Sequence, residues 1–509
     1  MVAKVLSAAT SGVEAVPVEI EVNEGRGLLA IIIVGLPDTG VKESRDRVKT
    51  ALENSGFKFP LGRTTINLAP ADLKKEGPSF DLPMALGILA ASGQLETEKL
   101  KHYYIMGELA LNGAIRSVKG VLPMALEAKR RGMQGVIIPE TNAIEAGVVQ
   151  GIDAIPVKNL RQTVEWLLRR TEISPVQVDL SHFFHNHHHE VDFSEVKGQQ
   201  HVKRALEIAA AGGHNCLMVG PPGSGKSMLA KRLPTILPNL TLDEALETTK
   251  IHSIAGLLND KTSFIKQRPF RSPHHTISDV GLVGGGADPS PGEISLAHHG
   301  VLFLDELPEF KRFVLEVMRQ PLEEGKITIS RASGSMTFPA QVMLVAAMNP
   351  TPDGKSIKES KSTPNEIRRY LAKISGPLLD RIDLHVEVSA VKISDLSQRS
   401  ELAEPSAAVR QRVEVARQKQ QQRFHSAKKK INCNAQMSSR ELRQFCQIDS
   451  SSEELLKIAM TDMNLSARAY DRILKVARTI ADLAHSETIA QDHLLEALQY
   501  RSLDRELFS

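Results

Sequence analysis

The stretch Gly220-Pro221-Pro222-Gly223-Ser224-Gly225-Lys226-Ser227 constrains this chain more than any other. Its glycines, lysine and hydroxyl fit the phosphate-binding loop pattern in full. On its amino side Cys216-Leu-Met-Val219 reads as a short buried strand, and on its carboxyl side Ser227 to Leu233 reads as the start of a helix. Glycine lets the backbone curl around an anion, and the new helix aims its free N–H groups and positive dipole end at that anion. In such a loop Lys226 reaches the β- and γ-phosphates and Ser227 ligates Mg²⁺. The expected core is α/β, and it binds a nucleoside triphosphate.

A second signal lies downstream. Val301-Leu-Phe-Leu-Asp305-Glu306 is an apolar strand ending in two carboxylates. Burial puts such a strand in a central sheet and leaves the acids at its carboxyl end, beside the phosphate loop. Asp305 is expected to hold Mg²⁺ and Glu306 to orient and deprotonate the attacking water. Val342 to Asn349 is another apolar strand ending in a polar residue. Asn349 either bonds the γ-phosphate or the lytic water, or caps the turn before Pro350.

The remaining sequence bounds the setting. A chain of 509 residues exceeds one ordinary core, so two to four domains are expected. No apolar run approaches the roughly 18–20 residues of a membrane span, and the start lacks the order of a signal peptide. These features predict a cytoplasmic protein. Cys216, Cys433 and Cys446 are odd in number and far apart, suggesting neither disulfides nor a zinc cluster. A net charge of +3 permits nucleic-acid binding without arguing for it.

The chain divides by pattern into four parts. Residues 1–175 mix strands (Val16–Val22, Arg63–Leu68, Gly135–Pro139, and Leu28–Val34, a continuous apolar run that reads as a buried strand) with helices near 40–56, 81–91 and 121–131. Residues 176–191 include the cluster His185 to His189, which reads as a solvated linker or a metal site. Residues 192–390 hold the nucleotide-binding core. Residues 391–509 read as helical, with helices over 409–424, 465–484 and 488–501. The run Lys428-Lys-Lys430 reads as a solvated face or a DNA contact.

Several phrases carry a resemblance. Asp192-Phe-x-x-Val-x-Gly-Gln199, the phosphate loop, Leu302–Glu306, Asn349 and Gly376-Pro-Leu-Leu-Asp-Arg-Ile-Asp383 together resemble an AAA+ ATPase of the magnesium-chelatase-like branch. Pro269-Phe-Arg-Ser-Pro-His-His275, Pro291–His298 and Phe303–Phe310 narrow this to the competence protein ComM/YifB family, over essentially the whole chain. The resemblance implies an AAA+ core with a C-terminal helical lid, preceded by an α+β Lon protease-like domain. It makes Arg381 an arginine finger completing a neighbouring subunit's site, and Arg468 the sensor arginine of the lid. A salt bridge from Arg381 to Asp380 or Asp383 is the alternative. A composite site implies a closed ring, expected to be a hexamer.

Gly281 to Gly292 resembles an insert of this branch, and Lys326 to Phe338 reads as two strands around Ser333-Gly-Ser335. In related ring motors such loops face the pore, where Lys326 and Arg331 could contact DNA phosphates without reading bases. An ordinary surface hairpin is the alternative.

Two departures stand out. Lys75-Glu-Gly-Pro-Ser79 resembles the serine motif of Lon-type proteases, but Leu122 occupies the position of the catalytic lysine, and Lys119 lies three residues away. A serine needs an activating base, so a scaffold without peptidase activity is expected. After Asn349-Pro350, where many family members carry a cysteine-rich stretch resembling a zinc site, this chain has Thr351 to Lys361 and no cysteine. The family implies an ATP-driven, Mg²⁺-dependent ring on single-stranded, duplex or branched DNA. Such a ring promotes helicase-like branch migration in natural transformation, with recombination proteins as possible partners. A protein-remodelling or chelatase-type subunit, or a Lon-like protease, are the alternatives.

Overall fold

The computed structural model describes the chain except residues 1, 76, 97, 180–189, 259–262, 287–288, 332–333, 357, 391–403, 426–429, 464 and 504–509. It separates into two units. One comprises Met1–Asn186, Leu242–Lys266 and Ala332–Thr337, and the other His187–Thr241, Gln267–Arg331 and Phe338–Ser509.

In the first unit, Val2–Ser11 pairs antiparallel with Glu14–Gly25 residue by residue, and Glu14–Gly25 pairs antiparallel with Arg63–Ala69. Parallel pairs then add Ala30–Val34 at one side and Tyr103–Ile105, Gly135–Pro139 and Asp153–Val157 at the other, giving a seven-stranded mixed sheet. The helix Asp81–Ala91 is buried at every residue. Gly87 permits its close approach to the sheet, since a Cβ there would lie 2.6 Å from a Val22 methyl. Asp81 is fully buried and forks with the Arg47 guanidinium at 2.9 and 3.2 Å.

Two expectations change here. The apolar run Leu28–Val34 is not an interior strand. Its strand part, Ala30–Val34, is a half-exposed edge that among the described residues pairs only with Arg63–Ala69, and Leu28 is 93% exposed. An apolar run alone does not distinguish a central strand from an edge. Second, 242–266 clusters with this unit although it lies in sequence between the phosphate loop and the acid pair. The reason is a buried contact: Ser253 on the helix Leu242–Ala255 donates to Glu145 Oε1 at 2.5 Å, and the Leu122 N–H donates to the same oxygen at 2.9 Å.

The second unit is built on a five-stranded parallel sheet in the order Phe270–Arg271, Val301–Leu304, Met343–Met348, Cys216–Val219, Leu384–Glu387. The three middle strands are wholly buried, which is why they read as unbroken apolar runs. Helices Ser406–Phe424, Ala467–Leu483 and Gln491–Gln499 form the expected C-terminal helical region. The fold is therefore α/β with a parallel core, preceded by an α+β unit. No described helix is long and apolar enough to cross a membrane.

Candidate nucleotide site

Register pairs Val219 with Met348 and Leu304 with Ala346. Gly220, Asp305 and Asn349 therefore leave neighbouring parallel strands at one edge of the sheet, the carboxyl edge where open α/β sheets bind ligands. Gly220 is pinned there because a Cβ would sit 2.1 Å from the Val388 carbonyl oxygen. Gly223 and Gly225 take φ of +76° and +91°, a conformation that glycine adopts without strain. The helix Lys226–Arg232 starts directly after them.

Lys226 is buried and donates to the carbonyls of Gly220 at 2.6 Å and Pro221 at 2.9 Å, and to Asn349 Oδ1 at 3.2 Å. Burial holds its ammonium below the ordinary lysine range, with the Asp305 charge pulling the other way. Ser227 Oγ donates to Asp305 Oδ2 at 2.6 Å, and the Glu306 N–H donates to Asp305 Oδ1 at 3.0 Å. Ser224 Oγ, inside the loop, is buried without a hydrogen-bond partner among the described residues. Lys226, Ser227, Asp305 and Asn349 are thus brought together, with an orphan hydroxyl beside them.

Glu306 follows Asp305 with φ +53°, uncommon for a residue with a side chain. Its carboxylate is exposed and lies 3.3 Å from His275 Nδ1. In the sequence His275 is only one residue of the phrase Pro269–His275, and nothing in its spacing signals a partner 31 residues later.

Arg381 is only 9% exposed. It donates to the carbonyls of Arg319 at 3.2 Å and Pro377 at 2.6 Å and forms an ion pair with Glu323, not with Asp380 or Asp383. Asp383 is buried and meets Arg472 and, at 3.3 Å, His214 Nδ1. Burial pushes the Asp383 carboxyl up, but the charges of Arg472 and His214 outweigh that and hold it well below the usual range. Arg468 is exposed at the second position of the helix Ala467–Leu483.

Lys326 is exposed at the start of the strand Lys326–Arg331, where Ile327 and Ile329 point inward. The second expected strand is Gly334–Pro339. The side chain of Arg331, the cluster His185–His189 and Lys428–Lys429 lie outside the described residues. In the first unit, Ser79 is half-buried in the turn Pro78–Phe80, and Leu122 is fully buried. Lys119 lays its stem on Gly256, where a Cβ would be 2.4 Å from its Cε.

The family described as magnesium chelatase, subunit ChlI, matches residues 192–396; its C-terminal counterpart matches 403–501, and a further profile, subunit ChlI of Mg-chelatase, matches 18–142. The chain is similar to the uncharacterized protein YifB of Escherichia coli, 46% identical over 98% of this chain and 97% of that protein. It is equally similar to the competence protein ComM of Haemophilus influenzae, 46% identical over 99% and 98%. Lon protease 2 of Bacillus subtilis is 30% identical over 28% of this chain and 25% of its own length.

Proposed function

The chain belongs to the ComM/YifB family of magnesium-chelatase-like AAA+ proteins, and from that premise we propose that it is an ATP hydrolase whose subunits form a ring, expected to be hexameric, that drives branch migration on DNA. The observation that carries hydrolysis is the convergence of Lys226, Ser227, Asp305 and Asn349 at one sheet edge.

The residues fit a magnesium nucleotide. Glycines in the left-handed region leave the loop open, and Ser224 Oγ has an unused hydrogen bond. Ser227 and Asp305 would hold Mg²⁺, which when bound supplies charge neutralisation on the terminal phosphates. Lys226 exchanges its carbonyl partners for phosphate oxygens, a gain because a buried ammonium is short of strong acceptors. Glu306 leaves His275 to take a proton from the attacking water, and Asn349 orients that water or the γ-phosphate. Arg381 acts on a neighbour only by giving up Glu323 and two carbonyls, so its finger role belongs to the assembled ring. Arg468, exposed, is available as the lid's sensor.

DNA as the substrate is supported by the relative named for competence and by exposed Lys326 on its hairpin strand. The test is ATP turnover with single-stranded, duplex and forked DNA at rising salt. Stimulation that fades steeply with salt is expected; no stimulation by any of these removes DNA from the reading. Mixing Lys226→Ala with Arg381→Ala subunits should recover turnover through intact composite sites. Absence of recovery removes the role in trans.

A further inference from the structure

Beyond Asn349 the chain makes a turn that none of the steps above uses. Thr351 is fully buried, and its Oγ1 lies 2.7 Å from Asp353 Oδ1 and 2.6 Å from the Lys355 carbonyl. The same Asp353 oxygen accepts from Ser360 Oγ at 2.8 Å, and Oδ2 accepts from the Lys361 N–H at 2.9 Å. One carboxylate thus joins Thr351 to Ser360 and Lys361. The Lys361 N–H and the two hydroxyls hold that carboxyl well below the usual range although it is exposed to water. Hydrogen bonds of this kind to a charged acceptor are the stronger ones in proteins.

What the turn presents is Gly354. It is buried with φ +78°, and a Cβ on it would lie 2.7 Å from Cγ and Cδ of Pro222 and 3.9 Å from Asn349 Nδ2. The backbone closed by Asp353 therefore rests on the phosphate loop itself and beside the amide whose oxygen meets Lys226.

We propose that Asp353 is a positioning residue for ATP hydrolysis: by closing this turn it seats Gly354 on Pro222 and fixes Asn349 against Lys226. The proposal rests on reading the chain as an ATPase. It gives a hydrogen-bonded carboxylate a task in the segment where cysteines resembling a zinc site stand in many family members.

The experiment compares the full-length chain with Asp353→Asn, in which the negative charge is lost and one of the two acceptor oxygens is replaced by an NH2 donor. The expected result is a kcat about tenfold lower, the size that small misplacement of catalytic groups produces, with the KM for ATP within about twofold. Amide hydrogen exchange should speed up over 220–226 and 349–354 while the melting temperature stays unchanged. Ser360→Ala, which deletes one of the bonds and is the milder change should Asp353→Asn fold poorly, should shift kcat and exchange in the same direction by less. Gly354→Ala, blocked by Pro222, should reproduce the kcat loss with Asp353 intact. Wild-type kcat in both Asp353→Asn and Gly354→Ala overturns the proposal, as does unchanged exchange over 220–226 in Asp353→Asn. A wild-type chain without ATP turnover would instead overturn the functional reading, and the exchange measurement would still decide whether Asp353 holds the phosphate loop.

Discussion

Lys75 in the first unit and Lys226 in the second are both buried, both lowered by burial below the ordinary lysine range, and both met by backbone carbonyls. Lys75 donates to Pro70 O, while its own backbone bonds Leu36 O at 3.2 Å and accepts from Asp38 N at 3.0 Å. It ties two segments together from both sides. Lys226 shares its ammonium between loop carbonyls and Asn349, next to a serine hydroxyl with no partner among the described residues and to Gly223 and Gly225, whose Cβ positions meet nothing within 4 Å. The contrast teaches that burial and a shifted pKa do not make a lysine functional. What matters is whether its partners can be exchanged for a ligand, and what favours that exchange at Lys226 is the buried Ser224 hydroxyl in the same loop and the place of both at the carboxyl edge of the parallel sheet.

The largest expected effect breaks the comparison if it fails. Lys226→Ala should lower ATP turnover on the order of 10³-fold, the scale for a lost charge-stabilising donor, whereas Lys75→Met should leave turnover within about twofold. A steady-state ATPase assay on both variants decides it, and equal losses would erase the distinction. Next in size, Asp383→Ala strands Arg472 and His214 and should cost about 3 kcal/mol in urea unfolding. Because the folded Asp383 pKa lies below its unfolded value near 3.9, its stabilisation is complete above that pH. It fades as pH falls toward the folded pKa, so the gap between wild type and variant should narrow from pH 7 to pH 3. A constant gap would mean the charge is not what stabilises. Lys75→Met should shift unfolding by about 1 kcal/mol, the net value of a hydrogen bond; a shift several times larger would show the ammonium matters beyond that bond. Smallest of all, His275→Ala frees Glu306 and should raise basal turnover about two- to threefold. A fall would make His275 a participant instead of a restraint.

The phosphate loop was legible from its own glycines, lysine and serine, and that motif singled out the acid pair and the Asn349 strand among the apolar runs that end in polar residues. The helices of the C-terminal region were legible by their period. Partners distant in sequence were not. His275 with Glu306, Arg472 with Asp383 and Glu323 with Arg381 are set by how strands and helices come together, and no local spacing encodes them. The same holds for 242–266, whose place in the first unit depends on Ser253 meeting Glu145, a contact between segments more than a hundred residues apart. Asp353 was hidden for a different reason: its value lies in three hydrogen bonds of a turn, and an aspartate near a glycine is ordinary turn chemistry.

The half-exposed edge strand Ala30–Val34 carries a practical consequence. Along an apolar sequence it offers backbone groups that pair with no second strand among the described residues, flanked by Leu28, Leu29 and Leu36, which are exposed by 93%, 51% and 55%. Such an edge is a template for strand-to-strand association in concentrated solution. A single lysine at position 29 is the change we would make first to keep preparations of this chain monodisperse through purification.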